Sequence, residues 1–235
     1  MIYDERGVEV TPEDASFAAT VVTLGMASGK HNTINLAKRC IDQKIEGDFV
    51  ECGVNAGGHP ALMAYVIRRY DGGARHVHLY DSFQGMPVAS PDDSDWDRSI
   101  LGTNPDRKHG KATGHCVAYR WQVEHNMGLW VKNPEVLVYH EGWFQDVLPA
   151  ETTTPAKIAL LRIDCDLYDS TTPVLEYLYP RVPVGGYIIS DDWGESEAPI
   201  PARLATLKYF ESKGLPTPTV MRIPHTPGTV WFRKP

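Results

Sequence analysis

The segment 158–167 constrains the fold more than any other part of the chain. It reads IALLRIDCDL, and its first half is almost continuously apolar. An apolar run of this length is typical of a strand that is covered on both faces, as in a parallel sheet flanked by helices. The aspartates that close the segment would then lie at the carboxyl end of a central strand.

Segments typical of strands and of helices alternate along the rest of the chain. Further strands are predicted at 48–54, 76–82, 136–142 and 185–193, and helices at 32–45, 60–70, 171–179 and 199–213. Strands separated by helices imply a parallel sheet with right-handed crossovers. Two β runs near the C-terminus, 219–223 and 229–233, are joined by the turn-rich link PHTPG and predict a hairpin with an antiparallel strand. We therefore expect an α/β, Rossmann-like fold with a mostly parallel central sheet.

Residues 87–132 interrupt this alternation. The segment is rich in Asp, Gly, His, Trp and Asn. A long irregular segment inside a compact domain is typical of a lid or a binding insertion, although a solvent-facing decoration is the alternative. Since 235 residues suit one α/β domain, we expect residues 1–235 to form a single domain in which 87–132 is a lid or a binding insertion.

Charge and composition exclude several classes of partner. The chain has 23 Lys and Arg against 30 Asp and Glu, a formal charge of −7, which argues against a nucleic-acid-binding surface. The acidic N-terminus lacks the apolar core of a signal peptide. No apolar run is long enough to span a membrane. We expect a cytoplasmic protein without nucleic-acid or membrane partners.

Two features indicate a nucleotide-type cofactor. The motif ECGVNAGG, Glu51 to Gly58, lies where the first predicted strand turns towards its helix, and glycine there lets the backbone approach a ligand closely. Asp81 ends the next strand, where an acidic residue can accept hydrogen bonds from ribose hydroxyls. Trp143 and Phe144 follow a third strand and could pack against an adenine ring or, equally, within the core. Alone, the glycine motif would indicate only a tight turn.

Two acidic clusters end the last two predicted strands of the parallel sheet. Asp164 and Asp166 would lie on one face of their strand, and Asp191 and Asp192 end the next. Ligands bind at the carboxyl edge of such sheets. Converging carboxylates repel one another unless a cation neutralises them, and oxygen ligands suit Mg²⁺. Helix caps and surface acids are the alternative interpretation.

At these positions the chain resembles the macrocin O-methyltransferase family of sugar-modifying enzymes. The similar stretches are EGDFVECGVNAGGHPALM, HLYDSFQGMP, HEGWFQDVLP and LLRIDCDLYDSTTPVLEYLYPRVPVGGYIISDDWG, with the basic tail hairpin. The resemblance implies a class I methyltransferase fold and S-adenosylmethionine as the cofactor. It implies cofactor contacts at Glu51, Gly53, Asn55, Gly57, Gly58, Asp81, Ser82, Trp143, Phe144 and Asp164.

The resemblance also implies a reaction. Asp164, Asp191 and Asp192 would ligate Mg²⁺ or another hard divalent cation, and Asp166 would be the general base for a sugar hydroxyl. A small-molecule glycoside or sugar acceptor and a homo-oligomer are expected. The chain departs from the family pattern at Asn55-Ala56 and at Trp193, so the identity of the acceptor is left open.

Other functions fit parts of the same pattern. A catechol-type O-methyltransferase would place a flat acceptor among Trp96, Tyr119, Trp121 and Trp130. A metal-dependent α/β hydrolase would use the aspartates but leave the glycine turn and Asp81 without a role. A non-catalytic nucleotide-binding module would leave the four strand-end acids unexplained.

Overall fold

An eight-stranded sheet organises the structure, a computed structural model that describes residues 2–3, 10–106, 111–196 and 199–235. The strands are β1 (Ile2–Tyr3), β2 (Asp48–Cys52), β3 (Val77–Asp81), β4 (Leu137–Glu141), β5 (Ile158–Ile163), β6 (Tyr187–Ser190), β7 (Met221–Arg222) and β8 (Val230–Arg233).

The strand order confirms the predicted mostly parallel sheet. It runs β1-β7-β8-β6-β5-β2-β3-β4, and β8 is antiparallel to both β6 and β7 while the other neighbours are parallel. The predicted C-terminal hairpin is thus confirmed. The chain order reverses between β2 and β5, and the carboxyl ends of strands at such a switch point form the ligand crevice of open α/β sheets.

Helices cover both faces of the sheet. They are α1 (Pro12–Thr20), α2 (Ala27–Asp42), α3 (Gly58–Val66, continued by the π-helix Ile67–Asp71), α4 (Asp95–Leu101), α5 (Arg120–Trp130), α6 (Phe144–Ala150), α7 (Tyr168–Tyr177) and α8 (Pro201–Ser212). Short 3₁₀ turns occupy Pro134–Val136 and Tyr179–Arg181.

The central position of β5 follows from its sequence. All six of its residues are buried. Leu160 packs into the apolar cluster that contains α2 and α3 residues, whereas Leu161 packs into the cluster that contains α7 and α8 residues. Successive side chains of a strand point to opposite faces, so a strand covered by helices on both sides must be apolar at every position that contacts them.

Part of the predicted lid belongs to the framework instead. Helix α5 lies between β3 and β4 in the chain and buries Val123 and Met127 in the same apolar cluster as α2 and α3. Residues 120–130 of the predicted lid therefore pack as part of the framework, and the role of 87–132 as a lid or binding insertion stays a prediction. The i, i+4 spacing of these two residues is the helical signal, and the polar residues around them obscure it. Residues 107–110 of the predicted lid lie outside the described residues.

The N-terminal helices differ from the predicted pattern. Thr11 caps α1: its side chain accepts a hydrogen bond from the backbone N–H of Asp14, whose carboxylate accepts one from Thr11 in return. This capping box accounts for a helix that the apolar pattern did not predict. Helix α2 begins at Ala27 rather than 32 and ends before Lys44, which takes a positive φ of 54°. In the described part of the chain, every helix is too short or too polar to cross a membrane.

Candidate active site

Gly53 brings β2 and β5 together at the carboxyl edge of the sheet. Its φ is +85°, and a Cβ atom there would lie 1.7 Å from the carbonyl oxygen of Asp164. The backbone N–H of Asp164 in turn donates to the carbonyl of Cys52 at 2.9 Å. Only glycine allows this approach, so Gly53 places Asp164, the first residue after β5, directly beside the glycine turn.

The next two glycines of the turn serve packing. Gly57 has a φ of +89° and fits against the Met127 side chain of α5. Gly58 leaves room for the loop at Val22 and Thr23, because a Cβ atom would meet Thr23 Cγ2 at 2.2 Å. Of the two, Gly58 lines one of the cavities described below and Gly57 lines neither.

A first cavity of about 120 Å³ lies at the carboxyl ends of β2 and β3. It collects residues from four separate predicted motifs. Those among its lining are Gly53, Asn55, Asp81, Ser82, Trp143, Phe144, Asp164 and Asp166. Leu24, Met86, Cys116, Gln145 and Ser170 also line it and were not singled out by the sequence.

Asp81 holds the glycine turn in place. Its Oδ2 accepts hydrogen bonds from the backbone N–H groups of Val54 at 2.7 Å and Asn55 at 3.3 Å, and its Oδ1 accepts one from Phe83 at 2.8 Å. Burial raises the pKa of Asp81, although these backbone hydrogen bonds oppose the rise. The neighbouring Ser82 hydroxyl donates to the carbonyl of Gly85. This edge of the cavity is therefore pre-organised.

A second cavity of about 240 Å³ adjoins the first and contains the acidic residues. The two share Leu24, Asn55, Cys116, Asp164 and Asp166. The second is further lined by Val22, Thr23, Gly25, Glu51, Val54, Ala56, Gly58, His59, Arg162, Asp191 and Asp192. One elongated ligand can therefore reach from the first cavity into the second.

Arg162 donates hydrogen bonds to three carboxylates that line this cavity. Its Nη1 donates to Glu51 at 2.8 Å and to Asp164 at 2.5 Å, and its Nη2 donates to Asp191 at 2.7 Å. Glu51 faces Arg162 in the register between β2 and β5. Sequence reasoning missed this residue, yet an arginine inside an apolar strand followed by aspartates is a usable signal, since a buried charge needs partners.

Three of the four predicted strand-end acids come together. Carboxylate oxygens of Asp164, Asp166 and Asp192 lie within 4.8 Å of one another, and the backbone N–H of Asp166 donates to Asp192 at 2.9 Å. Asp191 faces the same cavity, but its Oδ1 accepts hydrogen bonds from Arg162 and, at 3.0 Å, from the Thr229 hydroxyl. Asp166 leaves strand geometry with a φ of +55°, so chain turning as well as strand alternation brings it to Asp164.

The acid cluster carries more negative charge than its surroundings neutralise. Burial raises the pKa of Asp164 to about 7, and repulsion from Asp191 and Asp166 adds to the rise against the attraction of Arg162. Burial likewise raises the pKa of Asp166, with repulsion from Asp191 adding to the rise against the hydrogen bond with Asp192. Burial raises the pKa of Asp192 further, and repulsion from Asp166, Asp164 and Asp191 adds to it. Three close oxygen donors with this unmet charge suit a hard divalent cation.

The aromatic residues of the predicted lid do not reach the two cavities. Trp96, Tyr119 and Trp121 are exposed, and Trp130 packs against the core. None of the four lines either cavity. This removes the sequence feature that allowed a flat aromatic acceptor site.

The fold and this site define the protein as a Rossmann-like class I methyltransferase. The solved structure of the O-methyltransferase NovP superposes with a TM-score of 0.73 and 30% identity, covering 88% of this chain and 80% of that one. The calicheamicin methyltransferase CalS11 shares the fold at a TM-score of 0.65 and 18% identity, covering 97% and 95% of the two chains. Residues 11–234 match the family model of macrocin O-methyltransferase (TylF), and the chain belongs to that family.

Two similar proteins are named as O-methyltransferases. The 8-demethyl-8-(2,3-dimethoxy-alpha-L-rhamnosyl)-tetracenomycin-C 4'-O-methyltransferase of Streptomyces olivaceus is 37% identical over 149 residues, 63% of this chain and 54% of that protein. The demethyldecarbamoylnovobiocin O-methyltransferase of Streptomyces niveus is 34% identical over 185 residues, 79% of this chain and 67% of that protein. The chain thus spans about half and about two thirds of these relatives. The predicted family resemblance is confirmed.

Proposed function

We propose that the protein transfers a methyl group from S-adenosylmethionine to a hydroxyl of a sugar, carried by a glycosylated natural product or a related saccharide, with the help of Mg²⁺ or a similar cation. Family membership and the rhamnosyl compound in the name of one relative support this class of acceptor. The observation that carries the proposal is the pair of adjoining cavities, because Asp164 and Asp166 line both the glycine-turn cavity and the acidic one.

The first cavity suits an adenosine. A carboxylate oxygen has two lone pairs, and Oδ1 of Asp81 accepts one backbone N–H, from Phe83, which leaves its second lone pair for a ribose hydroxyl, whereas Oδ2 already accepts two. Trp143 and Phe144 offer apolar surface to the adenine, and Asn55 stands between this cavity and the acidic one. Gly53 keeps the backbone close to the ligand. A methyl donor held at these points would direct its reactive end towards Asp164 and Asp166.

The acidic cavity suits a cation and an acceptor hydroxyl. We assign Asp164, Asp191 and Asp192 as the ligand set, with Asp191 using the oxygen that Arg162 and Thr229 leave free. These residues would hold the cation, which would supply Lewis acidity that lowers the pKa of the acceptor hydroxyl. Asp166 then takes the hydroxyl proton, and its raised pKa brings it closer to the neutral range in which a general base works best. In-line alignment with the methyl group is the remaining requirement.

The proposed reaction is tested with purified protein, S-adenosylmethionine and a panel of rhamnosides and other glycosides set against catechols. We expect Mg²⁺-dependent methylation of a glycoside, abolished by a chelator. Asp166→Asn should lower kcat by about 10²- to 10⁴-fold. Glu176→Gln, an exposed acid paired with Lys213, is the matched control and should leave kcat unchanged. Methylation of catechols alone would refute the proposed acceptor class. Hydrolysis without any adenosyl donor would refute the proposed reaction.

The ligand set has its own test. Isothermal titration with Mn²⁺ as a magnesium analogue should show weaker binding for Asp191→Asn and for Asp192→Asn than for the unmodified protein. If only Asp192→Asn weakens binding, Asp191 binds Arg162 and not the cation.

Assembly as a homo-oligomer and a cytoplasmic location remain predictions. Sedimentation of the purified protein checks its assembly.

A further inference from the structure

His59 is a buried, chemically active side chain that the proposed reaction leaves without a role. It stands on the second residue of α3, directly after the glycine turn, and it is 7% exposed. It lines the acidic cavity together with Glu51. Its ring has one hydrogen-bond partner among the described residues, the Thr33 hydroxyl, which lies 2.8 Å from Nδ1.

The hydrogen bonds of Thr33 define the tautomer of His59 that the inference requires. A threonine hydroxyl has one proton to donate, and the carbonyl of Gly29, one helical turn earlier, lies 3.3 Å from the Thr33 hydroxyl oxygen. When the hydroxyl donates there, Nδ1 of His59 donates to the Thr33 oxygen. Burial lowers the pKa of His59 well below its usual value, and the charges of Arg162 and Lys30 add to this, which favours the neutral ring. In this neutral tautomer Nε2 bears a lone pair and no proton.

The free lone pair lies on the cavity side of the ring. A Cβ atom added to Gly25, another lining residue of the acidic cavity, would approach Nε2 to 3.9 Å. Glu51 presents a second unused acceptor, since its Oε2 is buried and has no hydrogen-bond partner among the described residues. Two acceptors in one cavity call for a ligand group with several N–H or O–H donors.

The proposed methyl donor carries one group of this kind. S-adenosylmethionine ends in an amino acid whose α-ammonium offers three N–H donors and a positive charge. The cavity is rich in carboxylates, with Arg162 as the cation among its lining side chains, which favours a cationic ligand group. The two cavities adjoin, so an adenosine in the first leaves its tail in the second.

Resting on the proposed function, we propose that His59 is a binding residue for the methyl donor: its Nε2 accepts a hydrogen bond from the α-ammonium group, Glu51 Oε2 accepts another, and Thr33 sets the tautomer that makes this contact available. The acceptor sugar does not contact His59.

The test compares two ligands that differ only in the tail. S-adenosylhomocysteine has the amino-acid tail, and 5′-methylthioadenosine keeps the nucleoside and sulfur without it. Isothermal titration of His59→Ala should show about 10- to 100-fold weaker binding of S-adenosylhomocysteine, as expected for one hydrogen bond to a charged group. Binding of 5′-methylthioadenosine should stay within about twofold of the unmodified protein, since a change this small lies below the worth of one hydrogen bond.

Two controls separate ligand contact from a structural role. Asp81→Asn should weaken both ligands, because it acts at the ribose. Thr33→Val removes the hydroxyl that fixes the tautomer, so ¹⁵N spectra of labelled histidine should show the loss of the unprotonated Nε2 signal together with weaker S-adenosylhomocysteine binding.

Equal weakening of both ligands by His59→Ala would overturn the proposal, as would unchanged binding of both. An increase in KM for the acceptor with unchanged S-adenosylhomocysteine binding would also overturn it and would move His59 to the acceptor site. If the unmodified protein binds neither adenosyl compound, the proposed function fails before His59 is tested.

Discussion

At the scale of single residues, steric exclusion sets the shape of the site. Gly53 and Gly73 share nearly the same backbone angle, with φ of +85° and +84°. A Cβ atom at Gly53 would collide with the Asp164 carbonyl, whereas at Gly73 it would meet nothing within 4 Å. Alanine substitutions at Gly53 and Gly73 therefore separate the cost of left-handed backbone strain from the cost of the steric collision.

We expect Gly53→Ala to lower the free energy of unfolding by more than about 3 kcal/mol, because β2 and β5 must move apart, while Gly73→Ala should cost only about 1–2 kcal/mol of left-handed strain. Urea denaturation of both variants measures the difference. Similar losses in the two variants would show that the collision relaxes at little cost.

The roles of the site residues could be predicted from the sequence only in part. The aspartates at the strand ends and the glycine turn could be found because their types and positions are unusual. Arg162 and His59 could not be assigned, since a buried ionisable side chain has meaning only through its partners. Those partners, Glu51 and Thr33, are 111 and 26 residues away in the chain.

At the scale of secondary-structure elements, Asp14 anchors α1 to the helices beside it. Its carboxylate is buried and accepts hydrogen bonds from Lys38, Tyr65 and Tyr70. Burial alone would raise its pKa, but the hydrogen bonds from Lys38, Tyr70, Thr11 and Tyr65 outweigh it and lower the pKa to about 2.

This lowered pKa predicts an acid-dependent contribution to stability. Since the folded pKa lies below the usual 3.8, the contribution is complete above about pH 4 and is lost as the pH falls towards 2. Asp14→Asn should cost about 1–2 kcal/mol at pH 7 after allowance for solvent screening. The gap between variant and unmodified protein should close between pH 4 and pH 2 in denaturation experiments. Glu13→Gln, on the exposed side of α1, should behave like the unmodified protein, and a gap independent of pH would contradict this account.

Helix α5 supports the glycine turn from outside the predicted framework. Met127 is buried against Gly57, while Leu129 on the same helix is 60% exposed. Met127→Ala should lower the free energy of unfolding by about 2–4 kcal/mol, and Leu129→Ala should change it by less than about 0.5 kcal/mol. Thermal and urea denaturation check both. Equal effects would show that α5 packs as loosely as a lid.

The elements most easily predicted were those whose burial pattern is uniform. Strand β5 is buried on both faces and reads as such, and the turn between β7 and β8 predicts their hairpin. Helix α5 escaped prediction because only a narrow stripe of it is apolar. Helix α1 escaped because a capping box, rather than an apolar face, defines its start.

At the scale of the whole molecule, the site should be linked to global stability. A ligand that binds only the folded chain stabilises it, by about 2.7 kcal/mol at one hundred times its Kd. For a chain of this length, that corresponds to a rise in Tm of about 5–10 °C. We expect S-adenosylhomocysteine to give such a shift in differential scanning fluorimetry.

Magnesium should add to this shift through the acid cluster. Relief of repulsion among Asp164, Asp166 and Asp192 stabilises the folded chain, so Mg²⁺ should raise Tm further in the unmodified protein and much less in Asp192→Asn. An equal Mg²⁺ response in both proteins would show that the ion acts elsewhere.

The sequence by itself determined which segments become the main buried strands, the four flanking helices α2, α3, α7 and α8, and that acids and a glycine turn stand at strand ends, because side-chain periodicity and turn chemistry are local. Only the tertiary structure decided how those ends meet. The register that sets Glu51 beside Arg162 leaves Asp191 held by that arginine and Asp166 joined to Asp164 and Asp192. Such pairings depend on contacts between residues far apart in the chain, which packing selects and no local pattern encodes.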